Sequence, residues 1–489
     1  MRMAALLSDG VVEGLPDAAR ALQRSTRSER AGWLRGVADR LDAERDGLVA
    51  IADSETQLGA ARLGGEVART TGQLRMFAEV IEEGSYLEAI VDTAAPDAVP
   101  PRPAIRRLLR PIGPVAVFSA SNFPFAFSVA GGDTASALAA GCPVVVKAHS
   151  GHPELSRATA RVVREGLAEA GAPRGAFSLV EGREAGLRLA KAGPVRAVAF
   201  TGSIAGGRGL LAAIAERPDP IPFFGELGSV NPVLVTPGAV QARGGAIAEG
   251  LVDSFTLGGG QFCTKPGVVF VPNGFAETDA LRRAVERRPA STLLTERISD
   301  AFLSGAQRLR DAGDVQLVAG AVARGADGVT AAVLRTSVAN FTRHSEALLE
   351  ECFGPLTLLV EYDSLDEVPA AIAVIEGSLT ATVHSEADES AGVAPLVELL
   401  AERAGRVLFD GWPTGVAVTW GQHHGGPWPA TNTQHTSVGA TAIRRFLRPI
   451  AFQNAPESAL PADLRDDALS RIPHRLDGRL IFREDQNHD

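Results

Sequence analysis

The spacing of apolar and polar positions changes several times along the chain, and each change predicts a different kind of structure. Over the first 85 residues, apolar side chains recur at helical spacing between charged ones, most clearly over residues 18–55. This pattern predicts helices with a solvated, charged face. Residues 86–110 instead have prolines between two short extended stretches, which is typical of a projecting hairpin or a linker rather than a core strand.

From residue 113 onward, short apolar runs alternate with helical stretches. Buried strands are predicted in GPVAVFSA, PVVVKA, AFSLVEG, VRAVAFTG, FFGEL and PVLVTP. Helices are predicted in FAFSVAGGDTASALAAG, with Gly141 as its C-terminal cap, in ELSRATARVVREGLAEAG, and near 184–191 and 205–216. This alternation favours a parallel, doubly wound α/β sheet. Such sheets bind ligands beyond the carboxyl ends of their strands.

A second α/β stretch follows Cys263 and runs to about residue 425. Its predicted strands are GVVFVP, LTLLVEY, LTATVHS and GRVLFD. The tail from 440 to 489 contains RRFLRPIAFQN and then a polar, charged end. We therefore expect two α/β lobes, together with a hairpin and a tail that can reach another subunit.

Composition narrows the class of protein. The chain has 489 residues, of which 45% are hydrophobic and 22% charged, as in a globular protein of two or more large lobes. A net charge of −10 without a basic stripe argues against a nucleic-acid partner. Three cysteines give no disulfide framework. The first residues lack a signal-peptide pattern, and no apolar run is long enough for a membrane span, so we expect a cytoplasmic protein.

Cys263 is the candidate nucleophile. It lies in GGGQFCTKPG, where three glycines would let the backbone come close to a ligand. An exposed cysteine near backbone N–H groups can have a lowered pKa and act as a nucleophile. The commoner alternative is a small core residue, and we interpret Cys142 and Cys352 in that way.

Two further residues are candidates for polar roles in catalysis. Glu226, in PFFGELGSVNP, follows a strand, and apolar surroundings there would raise its pKa and suit a general base. The alternative is a loop glutamate in water. Asn122, in SASNFPF, lies between a strand and a helix, where its amide can donate to a developing oxyanion. The alternative is a helix N-cap, which the local sequence alone favours.

Other positions suggest contacts with a phosphate-containing ligand. Lys147 ends the strand PVVVK and can meet phosphate or ribose, although surface lysines usually bind nothing specific. Thr201, Gly202 and Ser203 open a helix, with Gly206 shortly after, and N–H groups at a helix start favour pyrophosphate. The usual G-x-G-x-x-G fingerprint after the first strand is absent.

A metal site is not expected. His423 and His424 are adjacent in GQHHGGPW, and neighbouring residues rarely point at one ion. The chain has no H-E-x-x-H motif and no paired C-x-x-C. We expect both histidines to pack or to line the mouth of a substrate site.

In their order and spacing, the motifs SNFPFAF, PVVVK, FTGS, FFGELGSVNP, GGGQFC and EECFGP resemble the motif series of the aldehyde dehydrogenase superfamily. The resemblance covers about residues 20–450. It implies an α/β fold with a doubly wound, Rossmann-like cofactor domain, an α/β catalytic domain and a small β oligomerisation hairpin. The corresponding boundaries are 1–90 and 111–226 for the cofactor domain, 227–428 for the catalytic domain, and 91–110 and 429–489 for the bridging or oligomerisation segments.

The resemblance also implies a role for each matching residue. Cys263 would attack the aldehyde carbon to form a thiohemiacetal, while the amide of Asn122 and the backbone N–H of Cys263 hold the oxyanion. Hydride transfer to the nicotinamide would leave a thioester, and Glu226 would activate the water that hydrolyses it. Glu351 would bind the nicotinamide ribose, and Phe353 would pack beside the nicotinamide.

The remaining cofactor contacts implied by the resemblance indicate NADP. Lys147 would contact the adenosine ribose, and Ser203 the pyrophosphate. Members that prefer NAD often have a glutamate three residues after the lysine, where this chain has Ser150. Serine does not repel a 2′-phosphate and can donate to it, and Arg183 could supply a cation. We therefore expect a preference for NADP, with NAD also possible.

A second departure from the family pattern narrows the substrate. In place of the P-F-G-G-x-K-x-S-G segment found in many members, this chain has GWPTGVAVTWGQHHGGPWPATNTQH. This region, with GGDTASALAAGCPVVVK and ELGSVNPV, resembles the branch of α-ketoglutaric semialdehyde (2,5-dioxopentanoate) dehydrogenases and an NADP-linked fatty-aldehyde dehydrogenase. We favour the former, for which an arginine or several donors should line the tunnel. Candidate wall residues in either case are Phe123, Phe127, Phe262 and Trp420.

Several alternatives stay open. The aldehyde can be another semialdehyde or a fatty aldehyde. A CoA-acylating member would generally lack the equivalent of Glu226, and a cysteine-dependent esterase or acyltransferase would leave Glu351 idle. A non-catalytic role conflicts with the intact Cys263, Glu226 and Asn122. In each catalytic case the partner is a small molecule, and the hairpin and tail favour a homodimer or homotetramer.

Overall fold

The computed structural model describes residues 9–482, and we number its elements in chain order. The helices are α1 (Asp9–Glu13), α2 (Leu15–Arg24), α3 (Arg27–Ala43), α4 (Arg45–Thr56), α5 (Ala60–Glu83), α6 (Gly132–Ala140), α7 (Pro153–Glu169), α8 (Arg183–Lys191), α9 (Ile204–Ala215), α10 (Pro237–Thr256), α11 (Asp279–Glu286), α12 (Glu296–Arg310), α13 (Val338–Arg343), α14 (Ser345–Leu348), α15 (Val368–Ala373), α16 (Ser390–Arg403) and α17 (Asp466–Leu469). The strands are β1 (Ala89–Asp92), β2 (Ile105–Pro111), β3 (Val115–Phe118), β4 (Val144–Lys147), β5 (Phe177–Val180), β6 (Ala197–Thr201), β7 (Phe223–Glu226), β8 (Val233–Val235), β9 (Val268–Pro272), β10 (Gln316–Gly320), β11 (Arg324–Gly325), β12 (Gly328–Val329), β13 (Ala332–Ser337), β14 (Leu356–Tyr362), β15 (Ser378–His384), β16 (Ala404–Phe409), β17 (Leu447–Gln453), β18 (His474–Leu476) and β19 (Arg479–Ile481).

The first sheet is parallel, with the strand order β5-β4-β3-β6-β7. Its strands read as continuous apolar runs because helices cover both faces. In β3, Val115 and Val117 enter a core shared with α3, α5, α6 and α7, whereas Ala116 and Phe118 enter a second core with α8 and α9. The doubly wound sheet predicted for this part of the chain is confirmed.

The register of this sheet brings candidate site residues to one edge. Lys147 at the end of β4 pairs with Phe118 and with Val180 at the ends of the neighbouring strands. Thr201 at the end of β6 pairs with Glu226 at the end of β7. Since parallel strands end at the same edge, this is the edge at which such a sheet binds ligands.

One predicted helix of this lobe is wrong in its first half. The pattern predicted a helix over 125–141, but residues 121–131 form turns and α6 begins only after them. The backbone N–H groups of Phe125 and Ala126 donate to Oε1 of Glu66 in α5, at 2.8 and 3.0 Å. A buried carboxylate therefore takes up N–H groups that a helix would otherwise have used.

The other helices of the lobe follow the sequence pattern. Helices α1 to α5 occupy the predicted helical stretch before residue 85, and α7, α8 and α9 coincide with their predicted positions. Gly141 ends α6 in the left-handed conformation, with φ of 91°, as predicted for its cap. None of the helices described between residues 9 and 482 is both long enough and apolar enough to cross a bilayer.

The second sheet has seven strands in the order β10-β13-β14-β9-β8-β15-β16. All neighbours are parallel except β10 and β13, which are antiparallel. The four predicted strands of this lobe are present as β9, β14, β15 and β16. The strand from PVLVTP, β8, belongs to this sheet rather than continuing the first. Strands β10 and β13 and the small β11–β12 hairpin had no clear sequence signal.

The third sheet combines the predicted hairpin with the tail. Strands β1 and β2 are antiparallel, as expected for a hairpin. The tail adds β17 beside β2, and β18 and β19 beside β1, which gives the order β17-β2-β1-β18-β19. The two outer strands, β17 and β19, are largely exposed.

Candidate active site

Three consecutive glycines shape the loop that carries Cys263, which we call the nucleophile loop (residues 257–267). Gly258, Gly259 and Gly260 have φ of 58, 68 and 69°, a conformation that only glycine adopts readily. A Cβ atom on Gly260 would also collide with the backbone of Gly354. The glycines therefore let the nucleophile loop bend sharply and rest directly on the turn that follows Glu351.

Two buried polar side chains fix this loop. Nδ2 of Asn231 donates to the carbonyl oxygens of Cys263 and Lys265, at 2.8 and 2.9 Å. Nζ of Lys265 in turn donates to the carbonyls of Cys352 and Leu356, at 2.7 and 2.9 Å. Hydrogen bonds of this kind are costly to break once buried, so they hold the loop against the 351–356 turn.

Asn122 lies beside the same loop. Its Nδ2 donates to the carbonyl oxygen of Gln261 at 2.9 Å, and Nη2 of Arg62 donates to its own carbonyl at 2.7 Å. The N-cap alternative is wrong, because no helix begins at this residue. The backbone N–H of Cys263 donates to no acceptor of the described residues. Of the two groups expected to hold an oxyanion, the N–H of Cys263 thus lies on the nucleophile loop and the amide of Asn122 lies next to it.

Glu226 is buried at the end of β7. Its Oε1 lies 3.0 Å from Nε2 of His424, and its Oε2 accepts a hydrogen bond of 2.5 Å from Oγ of Ser437. Burial raises the pKa of Glu226, but the charge of His424 and hydrogen bonds from His424, Ser437 and Cys263 outweigh burial and lower the pKa below its usual value. The raised pKa expected from apolar surroundings is therefore wrong, because these polar partners are present.

His424 joins the carboxylate to the nucleophile. It is fully buried, and its Nε2 lies 3.5 Å from Sγ of Cys263 as well as 3.0 Å from Glu226. Sequence reasoning placed both His423 and His424 among packing or mouth residues and missed this contact. The only available signal was a histidine pair in a segment that departs from the family pattern.

The cysteines differ in their surroundings. Cys142 and Cys352 are buried and unpaired, as expected for packing residues, whereas Cys263 is half-buried beside Glu226 and His424. Burial, followed by the negative charge of Glu226, raises the pKa of the Cys263 thiol well above its usual value. The resting nucleophile is therefore a thiol that needs a base, rather than the thiolate that a lowered pKa would give.

Glu226, Cys263 and His424 also form a possible metal-binding set. One donor atom from each lies within 4.8 Å of the others, and sulfur, imidazole and carboxylate are ligands that Zn²⁺ accepts. No metal site was expected from the sequence, because the three residues lie in no metal-binding motif. The hydrogen bonds among the three side chains already account for their closeness.

The candidate adenosine-side residues lie together at the edge of the first sheet. The side chain of Lys147 packs against the backbone of α8 near Gly186, and Arg183 is the first residue of that helix. Ser150 is exposed in the turn after β4. Burial lowers the pKa of Lys147, and its ammonium has no ion-pair partner among the described residues. This arrangement fits a phosphate- or ribose-bearing ligand.

The candidate pyrophosphate residues lie at the start of α9. Thr201 ends β6, Gly202 follows it, and Ser203 is the N-cap, whose Oγ accepts a hydrogen bond of 3.2 Å from the N–H of Gly206. A Cβ on Gly202 would press against the ring of Phe200. The exposed first turn of a twelve-residue helix is suited to an anion.

Glu351 and Phe353 approach from the second sheet. The carboxylate of Glu351 contacts the backbone of Gly228, just beyond β7, so it reaches the edge where Glu226 lies. Burial raises the pKa of Glu351 to about 7. Phe353 is half-buried in the turn that supports the nucleophile loop.

Three of the four predicted wall aromatics form one cluster. The ring of Phe123 lies edge-on to those of Phe127 and Phe262, with centroids 5.3 and 4.9 Å apart. The Phe127 ring centroid lies 6.4 Å from that of His424, which places the cluster next to the nucleophile. Trp420 is 51% exposed and forms no aromatic pair with these rings.

Comparisons with known proteins agree with this geometry. The sequence model of the aldehyde dehydrogenase family matches residues 9–426. The chain is 45% identical to alpha-ketoglutaric semialdehyde dehydrogenase 2 of Azospirillum brasilense, covering 95% of this chain and 90% of that protein. It is 38% identical to alpha-ketoglutaric semialdehyde dehydrogenase of Acinetobacter baylyi, covering 94% and 88%. The fold is similar to that of lactaldehyde dehydrogenase from Escherichia coli, with a TM-score of 0.77, 22% identity and 90% of each chain covered. The chain therefore belongs to the aldehyde dehydrogenase family and is an NAD(P)-dependent oxidoreductase that acts on aldehydes.

Proposed function

We propose that this enzyme oxidises 2,5-dioxopentanoate to 2-oxoglutarate, with Cys263 as the nucleophile. The observation that carries the chemistry is the contact of Cys263 with His424 and Glu226 at the edge of the first sheet. The substrate comes from the two alpha-ketoglutaric semialdehyde dehydrogenases, which are 45% and 38% identical to this chain over nearly its whole length.

The first step uses the base beside the thiol. Glu226, ionised because its pKa is lowered, takes the proton from Sγ of Cys263, and the thiolate attacks the aldehyde carbon. The negative charge moves to the aldehyde oxygen, which Nδ2 of Asn122 and the N–H of Cys263 stabilise. Fixed donors of this kind are worth several kcal/mol to a transition state, about 3 to 4 for one donor.

A bound nicotinamide cofactor would accept the hydride that leaves the carbon attached to sulfur. The acyl group then remains on Cys263 as a thioester. Glu226 releases the proton of the thiol to bulk water and then takes a proton from the attacking water, whose oxygen forms a bond to the thioester carbonyl carbon. The C–S bond breaks, the carboxylic acid leaves, and the thiolate of Cys263 regains a proton from Glu226. Ser437 and His424 hold the carboxylate of Glu226 in place during these proton transfers.

The edge of the first sheet would hold the cofactor. The N–H groups at the start of α9, beside Ser203, would bind the pyrophosphate, and Lys147 the adenosine ribose. Glu351 would reach the nicotinamide ribose, with Phe353 beside the nicotinamide. Ser150 and Arg183, which carry no negative charge, support NADP over NAD.

The wider organisation is also part of the proposal. We assign residues 1–90 and 111–226 to a cofactor-binding domain, 227–428 to a catalytic domain, and 91–110 and 429–489 to bridging segments. The exposed outer strands of the third sheet support a homodimer or homotetramer. Three cysteines without a disulfide among them favour a reducing, cytoplasmic setting.

Two other reactions are less well supported by the site. CoA acylation does not need a base for water, yet Glu226 is held beside the nucleophile by His424 and Ser437. A thiol esterase would need no nicotinamide contacts, yet Glu351 reaches across from the second sheet to the edge of the first.

A panel of aldehydes tests the proposal. We expect the highest kcat/KM for 2,5-dioxopentanoate among that compound, succinic semialdehyde, glutaraldehyde and decanal, with NADP used better than NAD and with Cys263→Ala inactive. A higher value for decanal would contradict the substrate, and a tenfold preference for NAD would contradict the cofactor. Acyl-CoA formed on addition of CoA, or no reduction of either cofactor, would favour the other reactions.

A further inference from the structure

A half-buried arginine lies next to the nucleophile with most of its hydrogen-bonding capacity unused. Arg69 is on α5, and its Nε and Nη2 are excluded from the surface without an acceptor among residues 9–482. A guanidinium carries five N–H donors and keeps its charge in proteins. Leaving such donors unpaired inside a protein is costly, so an anionic group that accepts from them would be strongly favoured.

Aromatic contacts place this arginine near the reacting sulfur. Its guanidinium carbon lies 5.5 Å from the ring centroid of Phe127, and that ring centroid is 6.4 Å from that of His424. Nε2 of His424 is 3.5 Å from Sγ of Cys263. Burial lowers the pKa of Arg69, while the charges of Glu66, Cys263 and Glu226 oppose that shift, as expected for a guanidinium close to the site.

Two other arginines, Arg62 and Arg406, already donate to the protein, although Nη1 of Arg62 and Nε of Arg406 also have no acceptor among residues 9–482. Nη2 of Arg62 donates to the carbonyl of Asn122, so this residue helps to position Asn122. Arg406 donates to the carbonyls of Pro413 and Gly415, at 2.8 and 2.9 Å. None of the three arginines forms an ion pair with a carboxylate of the described residues. Unlike Arg62 and Arg406, Arg69 also donates no side-chain hydrogen bond to the described residues.

We propose that Arg69 binds the carboxylate of the aldehyde substrate and so selects aldehydes that carry a carboxylate over neutral aldehydes. The contacts of Arg69 with Phe127, of Phe127 with His424 and of His424 with Cys263 bring the guanidinium and the sulfur to one region, where a substrate can be held by Cys263 at one end and by Arg69 at the other. Planar guanidinium groups bind carboxylates through two parallel hydrogen bonds. The ring of Phe127 between the two ends would pack on the carbon chain. This inference rests on the proposed function and names the group that recognises its substrate.

The test compares an anionic and a neutral aldehyde of equal length. In Arg69→Met, we expect the ratio of kcat/KM for 2,5-dioxopentanoate to that for pentanal to fall by about 10- to 100-fold, the usual worth of a charge-assisted hydrogen bond. In Arg69→Lys the ratio should fall less, because lysine keeps the positive charge but lacks the two parallel N–H donors of a guanidinium. If Arg69 only tunes the thiol, both aldehydes lose rate equally, and the unchanged ratio overturns the proposal.

Arg75→Met is the matched control. It lies on the same helix, but its guanidinium pairs with Asp39 and Asp42 on the surface, at 2.6 and 2.8 Å, so the ratio should stay as in the unaltered enzyme. A fall of the same size in this variant would also overturn the proposal.

A binding measurement separates this inference from the proposed function. Glutarate should slow the alkylation of Cys263 by iodoacetamide in the unaltered enzyme but not in Arg69→Met, whichever aldehyde is the best substrate. Equal protection in both proteins would overturn the role of Arg69 even if 2,5-dioxopentanoate is oxidised. Suppose that protection is lost in Arg69→Met and that the unaltered enzyme oxidises another anionic semialdehyde faster than 2,5-dioxopentanoate. The role of Arg69 would then be supported, and only 2,5-dioxopentanoate would be rejected as the substrate.

Discussion

Glu226 shows how two opposing effects set the state of one buried carboxyl group. Taking it out of water favours the neutral acid, whereas His424 at 3.0 Å and Ser437 at 2.5 Å favour the carboxylate. The second effect is the larger, and the pKa is lowered. The group is therefore ionised and free to accept a proton. Because the pKa of the Cys263 thiol is raised, the proton favours sulfur at rest, and its transfer to Glu226 has to accompany the attack of sulfur on the aldehyde.

Removing His424 should shift the pH dependence of the reaction. In His424→Phe the burial of Glu226 remains but the opposing charge and hydrogen bond are gone, so its pKa rises. Because Glu226 must be ionised to act as the base, we expect the acidic limb of the pH profile of kcat/KM to shift to higher pH by about one unit or more. His424→Gln keeps a donor and should shift less, and His423→Gln should leave the profile unchanged. An acid limb that does not move in His424→Phe would show that His424 does not set the state of Glu226.

The residues of the site divide by how they could be found from the sequence. Cys263, Glu226 and Asn122 lie in recognisable motifs. Asn122 and Glu226 also lie at the ends of predicted strands, so their place at one edge could be expected. His424 contacts Cys263 across 161 positions of sequence, and Ser437 contacts Glu226 across 211. No periodicity or local spacing predicts such a contact, because only the folded chain brings the two partners together.

Among the elements, the nucleophile loop is held from two sides. Asn231 donates hydrogen bonds to its backbone, and Lys265 of the loop donates to carbonyls of the 351–356 turn. The close approach of Gly260 to Gly354 sets the distance of the loop from the turn that carries Glu351. The position of the sulfur relative to the nicotinamide side of the site therefore depends on the absence of a single Cβ atom.

Gly260→Ala tests this contact. A left-handed alanine costs about 1–2 kcal/mol by itself, and the collision with Gly354 should add about 1–3 kcal/mol and displace the loop. We expect a lower urea midpoint and a loss of aldehyde oxidation of more than about tenfold, a typical result of misplaced reacting groups.

Gly274→Ala provides the comparison for this prediction. Gly274 has φ of 90°, but a Cβ there would meet nothing within 4 Å. It should show the conformational cost alone, with activity within about twofold of the unaltered enzyme. Equal effects of the two substitutions on activity would mean that the approach of Gly260 to Gly354 is not what positions Cys263.

Elements with regular patterns could be predicted from the sequence, and those fixed by distant partners could not. The strand PVVVK has three consecutive valines before its terminal lysine and was recognisable as buried. The turns at 121–131 look helical in sequence, but their N–H groups bind Glu66. Strands β18 and β19 are three residues each, too short for alternation to show.

At the scale of the whole molecule, the third sheet packs on the core of the first lobe through Ala89, Val91 and Leu108, and leaves β18 and β19 largely exposed. It joins a segment near residue 90 to the tail, and its edge strands expose unpaired N–H and C=O groups. Exposed edges of this kind tend to pair with another chain. Leu476 and Leu480, on β18 and β19, are 38% and 48% exposed, which adds apolar surface to the same edge.

We therefore expect β18 and β19 to lie in a subunit interface. In Leu476→Asp combined with Leu480→Asp, two charges would be buried without partners on association, so light scattering should show a lower mass, down to one chain at micromolar concentration. Leu317→Asp is the matched control, because Leu317 is 40% exposed on β10 at the edge of the second sheet, and this variant should keep the mass of the unaltered enzyme. If the double variant also keeps the mass of the unaltered enzyme, the interface lies elsewhere. Because Cys263, His424 and Glu226 contact one another within one chain, we expect the dissociated protein to retain aldehyde oxidation.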